Sequence, residues 1–202
     1  MRKIYFIIVT ASILAFTGCK ETKKNADSAV DSMEKEMENM EETAKEMEES
    51  TMDQTITLAM NSASDSGVKG DVTFTQNGEE VMMMAKFTGL QAGNHAIHLH
   101  ETADCSAHDG KSAGGHWNPT NEIHGKWGDE EGYHKGDIGN FVADEDGNAS
   151  VEFSTDEWCM DCDDDTKNIV GRAVIVHQGK DDFTSQPSGD AGARVACTAI
   201  IK

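Results

Sequence analysis

Apolar positions along the chain fall into three regimes. Arg2 and Lys3 lead into a mostly apolar run, residues 4–16, too short for a comfortable membrane-spanning helix. Farther on, Val30, Met33, Met37, Met40, Ala44 and Met47 recur at spacings of 3, 4, 3, 4 and 3, with Glu and Lys between them. That heptad pattern predicts an amphipathic helix; with fewer than three repeats it supports only a weak self-associating coil. From Gln54 onward the period drops to two. Ile56, Leu58 and Met60 alternate with polar residues, as do Val72 with Phe74 and Val151 with Phe153. Further strand-like runs lie at 81–87, 95–100, 169–176 and 195–201. Turn-forming clusters, Gln76-Asn77-Gly78 and Asp144-Glu145-Asp146-Gly147, separate several of them. About eight short strands without a convincing helix predict an antiparallel sandwich or barrel. The Met82-Met83-Met84 triplet lies inside one such run, and its expected job is packing.

Composition agrees and adds limits. The chain has 202 residues with 19 Gly but only 7 Phe, 3 Trp and 2 Tyr, which suits strands and loops better than packed helices. A net charge of −20 argues against a nucleic-acid partner and against adhesion to an anionic membrane surface. Three segments are expected: 1–18, 19–52 and 53–202. The first has the basic start, apolar stretch and small residues of a secretory signal. Its end, Thr17-Gly18-Cys19, resembles a bacterial lipobox, which would make Cys19 the lipidated first residue of the mature chain. Phe16 stands where Leu is usual, and an ordinary exported protein with an incidental Cys is the alternative reading. Either way the chain leaves the cytoplasm, where disulfides can persist. The second segment, from Glu21 to Met52, carries 11 acidic and 4 basic side chains and no aromatic residue, Pro or Gly. It reads as a solvated helical or disordered tether; the sharper reading gives its Met thioethers to Cu(I).

Residues 101–138 match neither strand nor helix. A structureless stretch of that length inside a compact domain is normally functional or disordered. This one holds Cys105, His108, His116, His124, His134 and Asp137. Ligation and a disulfide would give it order. Just before it, His98-Leu99-His100 ends a strand-like run, and residues two apart on a strand share a face, so both rings can chelate one ion. Three imidazoles and a carboxylate (His116, His124, His134, Asp137) suit a closed tetrahedral zinc site. His177 ends the apolar run 173–176.

Five segments now carry a resemblance. Gly93-Asn94-His95-Ala96-Ile97-His98-Leu99-His100, Ser112-Ala113-Gly114-Gly115-His116-Trp117-Asn118-Pro119, His134-Lys135-Gly136-Asp137-Ile138-Gly139-Asn140, Gly171-Arg172-Ala173-Val174-Ile175-Val176-His177 and Gly192-Ala193-Arg194-Val195-Ala196-Cys197 resemble, in order, the signatures of copper–zinc superoxide dismutases. The likeness spans roughly 54–202 and implies an eight-stranded Greek-key β-barrel that converts superoxide to O2 and H2O2. By position, His98, His100 and His177 match copper ligands, and His116 the imidazolate shared by copper and zinc. His124, His134 and Asp137 match the remaining zinc ligands. Arg194 matches the arginine that attracts the anionic substrate, and with His116 it forms the implied catalytic pair. Cys105 and Cys197 match the family disulfide. Asp181 matches the carboxylate that links His98 to His124, although a one-residue gap would exchange it with Asp182.

The resemblance leaves residues unaccounted for. Between His177 and Arg194 the only basic residue is Lys180, and the domain 53–202 carries 10 basic and 26 acidic side chains. Electrostatic guidance of the substrate is therefore expected to be weak and local. Trp158-Cys159-Met160-Asp161-Cys162 matches no element of the family. Its Cys pair admits a local disulfide, free or redox-active thiols, or an accessory metal site. His95 differs in strand parity from His98 and His100 and is expected to be structural, and His108 to be exposed. A non-catalytic copper-binding lipoprotein and a purely structural envelope protein are the competing readings; monomer and homodimer both remain open.

Overall fold

The computed structural model describes residues 54–202. The signal segment, Cys19 and the tether lie outside the described residues. Eight strands form: β1 (Gln54–Ser62), β2 (Lys69–Asn77), β3 (Glu80–Thr88), β4 (Gly93–His100), β5 (Gly139–Ala143), β6 (Ala149–Thr155), β7 (Ala173–His177) and β8 (Arg194–Ala199). They run antiparallel in the order β5-β4-β7-β8-β1-β2-β3-β6. β5 and β6, the two ends of that order, lie against each other, so the sheet nearly closes on itself as a barrel. After the β1-β2-β3 meander the chain crosses to β4. β6 then returns beside β3 and β7 beside β4, which are Greek-key returns.

The period-two pattern explains the core. Val72 and Phe74 of β2, Val81, Met83, Ala85 and Phe87 of β3, and Ile97 and Leu99 of β4 are buried together with Trp158 and Val176. The methionine triplet obeys the same alternation, which corrects the packing expectation. Only Met83 points inward; Met82 and Met84 are 40% and 42% exposed, because neighbours on a strand face opposite sides. The seventh strand is also shorter than the run 169–176. It starts at Ala173, because Gly171 turns the chain at φ +93°, although Ile169 is still buried.

As expected, 101–138 contributes no strand. Its regular structure is one 3-10 turn, Lys111–Ala113, plus an isolated bridge between His116 and His100. Backbone hydrogen bonds nevertheless bind it to β4: Trp117 N–H donates to Leu99 O (2.8 Å), Leu99 N–H to Gly136 O and Gly136 N–H to Trp117 O (both 2.9 Å). A Cβ on Gly136 would overlap Leu99 O, so this three-way approach requires glycine there.

Candidate metal centre

β4 and β7 set the first group of ligands. His98 pairs with Ile175 and His100 with Ala173, so His177, two residues beyond Ile175, lies diagonal to His98. The ladder slips between Val176 and His177, and His177 then pairs with Arg194 at the start of β8. Such a bulge re-aims a side chain at a strand end. The bridge to His100 brings in His116, whose ring centroid lies 4.0 Å from that of His98. The long loop returns His124, His134 and Asp137 to the other side of His116.

Two groups of buried ligand atoms result: His98, His100, His116 and His177, and His116, His124, His134 and Asp137. Within each, the atoms lie within 4.8 Å of one another, and His116 belongs to both. All seven residues expected from the sequence are therefore brought together. The hydrogen bonds then reveal which atom each ring offers. His98 Nε2 lies 2.9 Å from Asp181 Oδ2, His124 Nε2 2.9 Å from Asp181 Oδ1, and His100 Nδ1 3.0 Å from Gly114 O. His177 Nδ1 faces Gly192 O at 3.4 Å. Each acceptor fixes the N–H on that nitrogen and leaves the opposite nitrogen with a lone pair. Those opposite atoms, His98 Nδ1, His100 Nε2, His124 Nδ1 and His177 Nε2, are buried with no hydrogen-bond partner, as are His116 Nε2 and His134 Nδ1. His124 Nδ1 lies only 2.9 Å from Asp137 Oδ2 without hydrogen-bond geometry, as expected of atoms converging on a shared centre. Buried polar atoms rarely go unpaired. Six in one place fit metal ligation.

The electrostatics of the two groups differ. Burial holds His100 and His177 well below their ordinary pKa and lowers His116 to about 4, against the opposing hydrogen bond from Asp137. Burial thus favours the neutral form of His100, His116 and His177. Burial also works against charge on His124, but Asp137 and Asp181 outweigh it and raise its pKa to about 9. Burial would raise the Asp137 pKa, yet its contacts with His116, His124 and His134 hold it far below the usual carboxylate range. Asp137 and Asp181 thus favour positive charge at His124.

The carboxylate between the groups is Asp181. It is buried, whereas Asp182 is exposed and caps its own turn by accepting from Thr184 N and Ser185 N. Asn140 fixes Asp181 from both sides, accepting from its N–H (2.7 Å) and donating to its carbonyl (2.8 Å). Gly189, at φ +68°, packs so closely that a Cβ would overlap Asp181 Oδ1.

An open cavity of about 620 Å³ reaches the centre and is lined by His100, His116, His134, His177, Gly114 and Arg194. Arg194, half-buried, donates to Gly110 O and Gly114 O, each at 2.7 Å. Gly114 O thus holds both Arg194 and His100. The Cys105–Cys197 disulfide ties the same loop segment to β8. Cys159 and Cys162 are also joined, which selects the first of the three readings of that pair. His95 is buried with its ring nitrogens at His177 O (2.9 Å) and Gln91 O (2.7 Å), a structural role. His108 is exposed and pairs with Asp65. Sequence reasoning missed the backbone acceptors Gly114 and Gly192 and the supports Asn140 and Gly189. Carbonyl oxygens carry no residue signature, and Asn140 was visible only as part of a motif.

Residues 68–200 match the family model of copper/zinc superoxide dismutase (SODC). Over 146 residues the chain is 36% identical to the extracellular superoxide dismutase (Cu-Zn) of Drosophila melanogaster, covering 68% of this chain and 78% of that one. Its fold is similar to the crystal structure of the clock protein EA4, with a TM-score of 0.63 and 31% identity, covering 74% of this chain and 94% of that one. Taken with the paired ligand groups, these matches show that the chain belongs to the copper/zinc superoxide dismutase family, enzymes that dismutate superoxide with copper and zinc as cofactors.

Proposed function

We propose that this enzyme works in the bacterial cell envelope, exported and held to the membrane by lipid on Cys19, with residues 19–52 as a spacer. The apolar run 4–16 ending in Thr17-Gly18-Cys19 supports export and anchoring. Two disulfides fit an oxidising compartment, and the Drosophila relative is itself named extracellular.

Within the centre, His98, His100, His116 and His177 would hold copper, since an all-imidazole set suits an ion that changes oxidation state. His116, His124, His134 and Asp137 would hold zinc, which favours three nitrogens and one oxygen in a closed tetrahedron. When bound, copper supplies the one-electron exchange that turns two superoxide ions and two protons into O2 and H2O2, and zinc supplies fixed charge. Arg194 presents a held cation at the cavity wall beside His100 and His177, where it attracts and orients the anionic substrate. Its local field has to prevail over the acidic domain around it, and low-dielectric clefts focus fields in that way. His116 Nε2, buried and without a protein partner, is the ring atom that would face copper, and when free of the metal it would be the position from which a proton passes to departing peroxide. Asp181 keeps His98 and His124 in the tautomers that aim Nδ1 at each group.

The observation that carries this reading is the set of six orphaned ring nitrogens divided about His116. Superoxide dismutation by the metal-loaded protein, beside His116→Ala and free-copper controls, tests it. Activity far above free copper, and lost in the variant, is expected; activity equal to free copper would overturn the reading.

A further inference from the structure

The zinc-side loop rests on a part of the molecule outside the five signature segments. His134 lies between Tyr133 and Lys135, and both neighbours are fastened to the segment just before the Cys159–Cys162 disulfide. Tyr133 Oη donates to Glu157 Oε1 at 2.7 Å, and Lys135 Nζ pairs with Glu157 Oε2. Trp158 Nε1–H donates to Lys135 O at 2.9 Å. Trp158 is 1% exposed, and its ring is the platform for the rest of the excursion. Trp127, between His124 and His134 in sequence, stacks edge-on against Trp158 (5.8 Å) and Phe153 (4.8 Å).

The platform is anchored in turn. Cys159 N–H donates to Lys167 O and Ile169 N–H to Cys159 O, while Met160 N–H donates to Gln76 Oε1 on β2. The Cys159–Cys162 link closes the turn at Asp161, where φ is +62°. A loop with no strand of its own thus receives its rigidity from an indole N–H, a carboxylate and a crosslinked turn.

We propose that Glu157, Trp158 and the Cys159–Cys162 link form a brace whose role is to position His134 for zinc. All three are positioning groups: none is itself a ligand. The inference rests on the assignment of His134 to zinc made above. Groups that orient metal ligands commonly affect metal affinity about 10–100-fold, and a brace acting through the ligand's chain neighbours belongs near the lower end.

The test uses the full metal-loaded chain and four variants: Trp158→Phe, which removes the N–H but keeps the ring, Glu157→Ala, Glu157→Gln, and the double variant Cys159→Ser/Cys162→Ser. Zinc and copper release to a chelator are followed separately, and Co2+ placed at the zinc position reports ligand geometry through its visible absorption. Expected are zinc release about 10-fold faster, shifted Co2+ bands and unchanged copper release. Glu157→Gln, which can still accept from Tyr133, should recover part of the loss. Wild-type zinc release and Co2+ bands in every variant would overturn the brace while leaving the zinc assignment intact. Equal acceleration of both metals would also overturn it, as general loosening. A wild-type chain that takes up no zinc would overturn both the brace and the assignment.

Discussion

His98, His100 and His177 stand on two paired strands, whereas His116, His124, His134 and Asp137 come from a segment whose regular structure is one 3-10 turn and a single bridge. On the strand side, ladder register sets the spacing of the ligands, and each ring needs one further acceptor to fix its tautomer. On the loop side register contributes only the bridge that pairs His116 with His100. Order comes from Trp117 and Gly136 bonded to β4, from Asp137 reaching three rings, from Trp127 lying on the Trp158 platform and from Tyr133 bonded to Glu157. A strand-borne site is insured by the whole sheet, but a loop-borne site depends on a few named bonds. Changes outside the ligand sets should therefore damage the zinc side more than the copper side.

The largest test of that asymmetry is Asp181→Asn. The amide has one acceptor oxygen where the carboxylate has two, so either His98 or His124 would face an NH2 group. Zinc affinity is expected to fall about 10–100-fold, with a smaller loss of copper, in competition titrations against chelators. Equal losses would break the comparison. Gly189→Ala should act in the same direction at the lower end of the range, about 10-fold, because its Cβ must displace the Asp181 carboxylate from His124. Unchanged zinc affinity there would mean that the loop can retreat without cost.

Arg194→Ala sharpens the contrast from the other side. Its side chain bonds backbone oxygens and no ligand ring, so both metals should stay while kcat/KM falls about 10-fold, the lower end of what local electrostatic focusing supplies. With Lys180 the only other cation between His177 and Arg194, added salt should reduce the wild-type rate only slightly. A steep salt dependence would reveal guidance from elsewhere.

The smallest expected effect is on the pH dependence of the metal-free protein, where His124 titrates in the opposite direction from the other shifted histidines. His116, His100 and His177 have folded pKa values below 6.5, His116 at about 4, so below 6.5 the unfolded chain takes up more protons. Stability should fall as the pH drops from 6.5 towards 4. Asp137 and Asp181 add to the acid loss, since their contribution is present above the ordinary carboxylate value of 3.8 and fades as the pH falls further. The His124 contribution is complete below 6.5 and is lost as the pH rises through about 9. Denaturant unfolding of the metal-free protein should thus show a maximum between those limits, and a flat profile from pH 7 to 4 would contradict the burial of neutral histidines.

Much of this was legible in the sequence, unevenly. Strand alternation marked Val72 and Phe74 as core, and the two-residue spacing put His98 and His100 on one face. The same rule, applied to Met82 and Met84, gives the correct exposed reading once a strand is assumed; treating the triplet as one packing block ignored it. The ligand set of the loop was legible because few residue types bind metals. Its scaffolding was not, since Gly114 O, Gly192 O and the Trp158 N–H to Lys135 O contact are long-range backbone partnerships without a sequence pattern. Choosing Asp181 over Asp182 likewise needed the fold, because neighbouring carboxylates differ only in which one the chain turns inward.

The division of seven ligands into two sites sharing His116 is tested most directly by crystals of the loaded protein measured at the copper and zinc absorption edges. Two anomalous peaks are expected on opposite sides of the His116 ring. Copper should lie among His98, His100 and His177, and zinc among His124, His134 and Asp137. A single peak, or a pair not spanned by His116, would contradict the account.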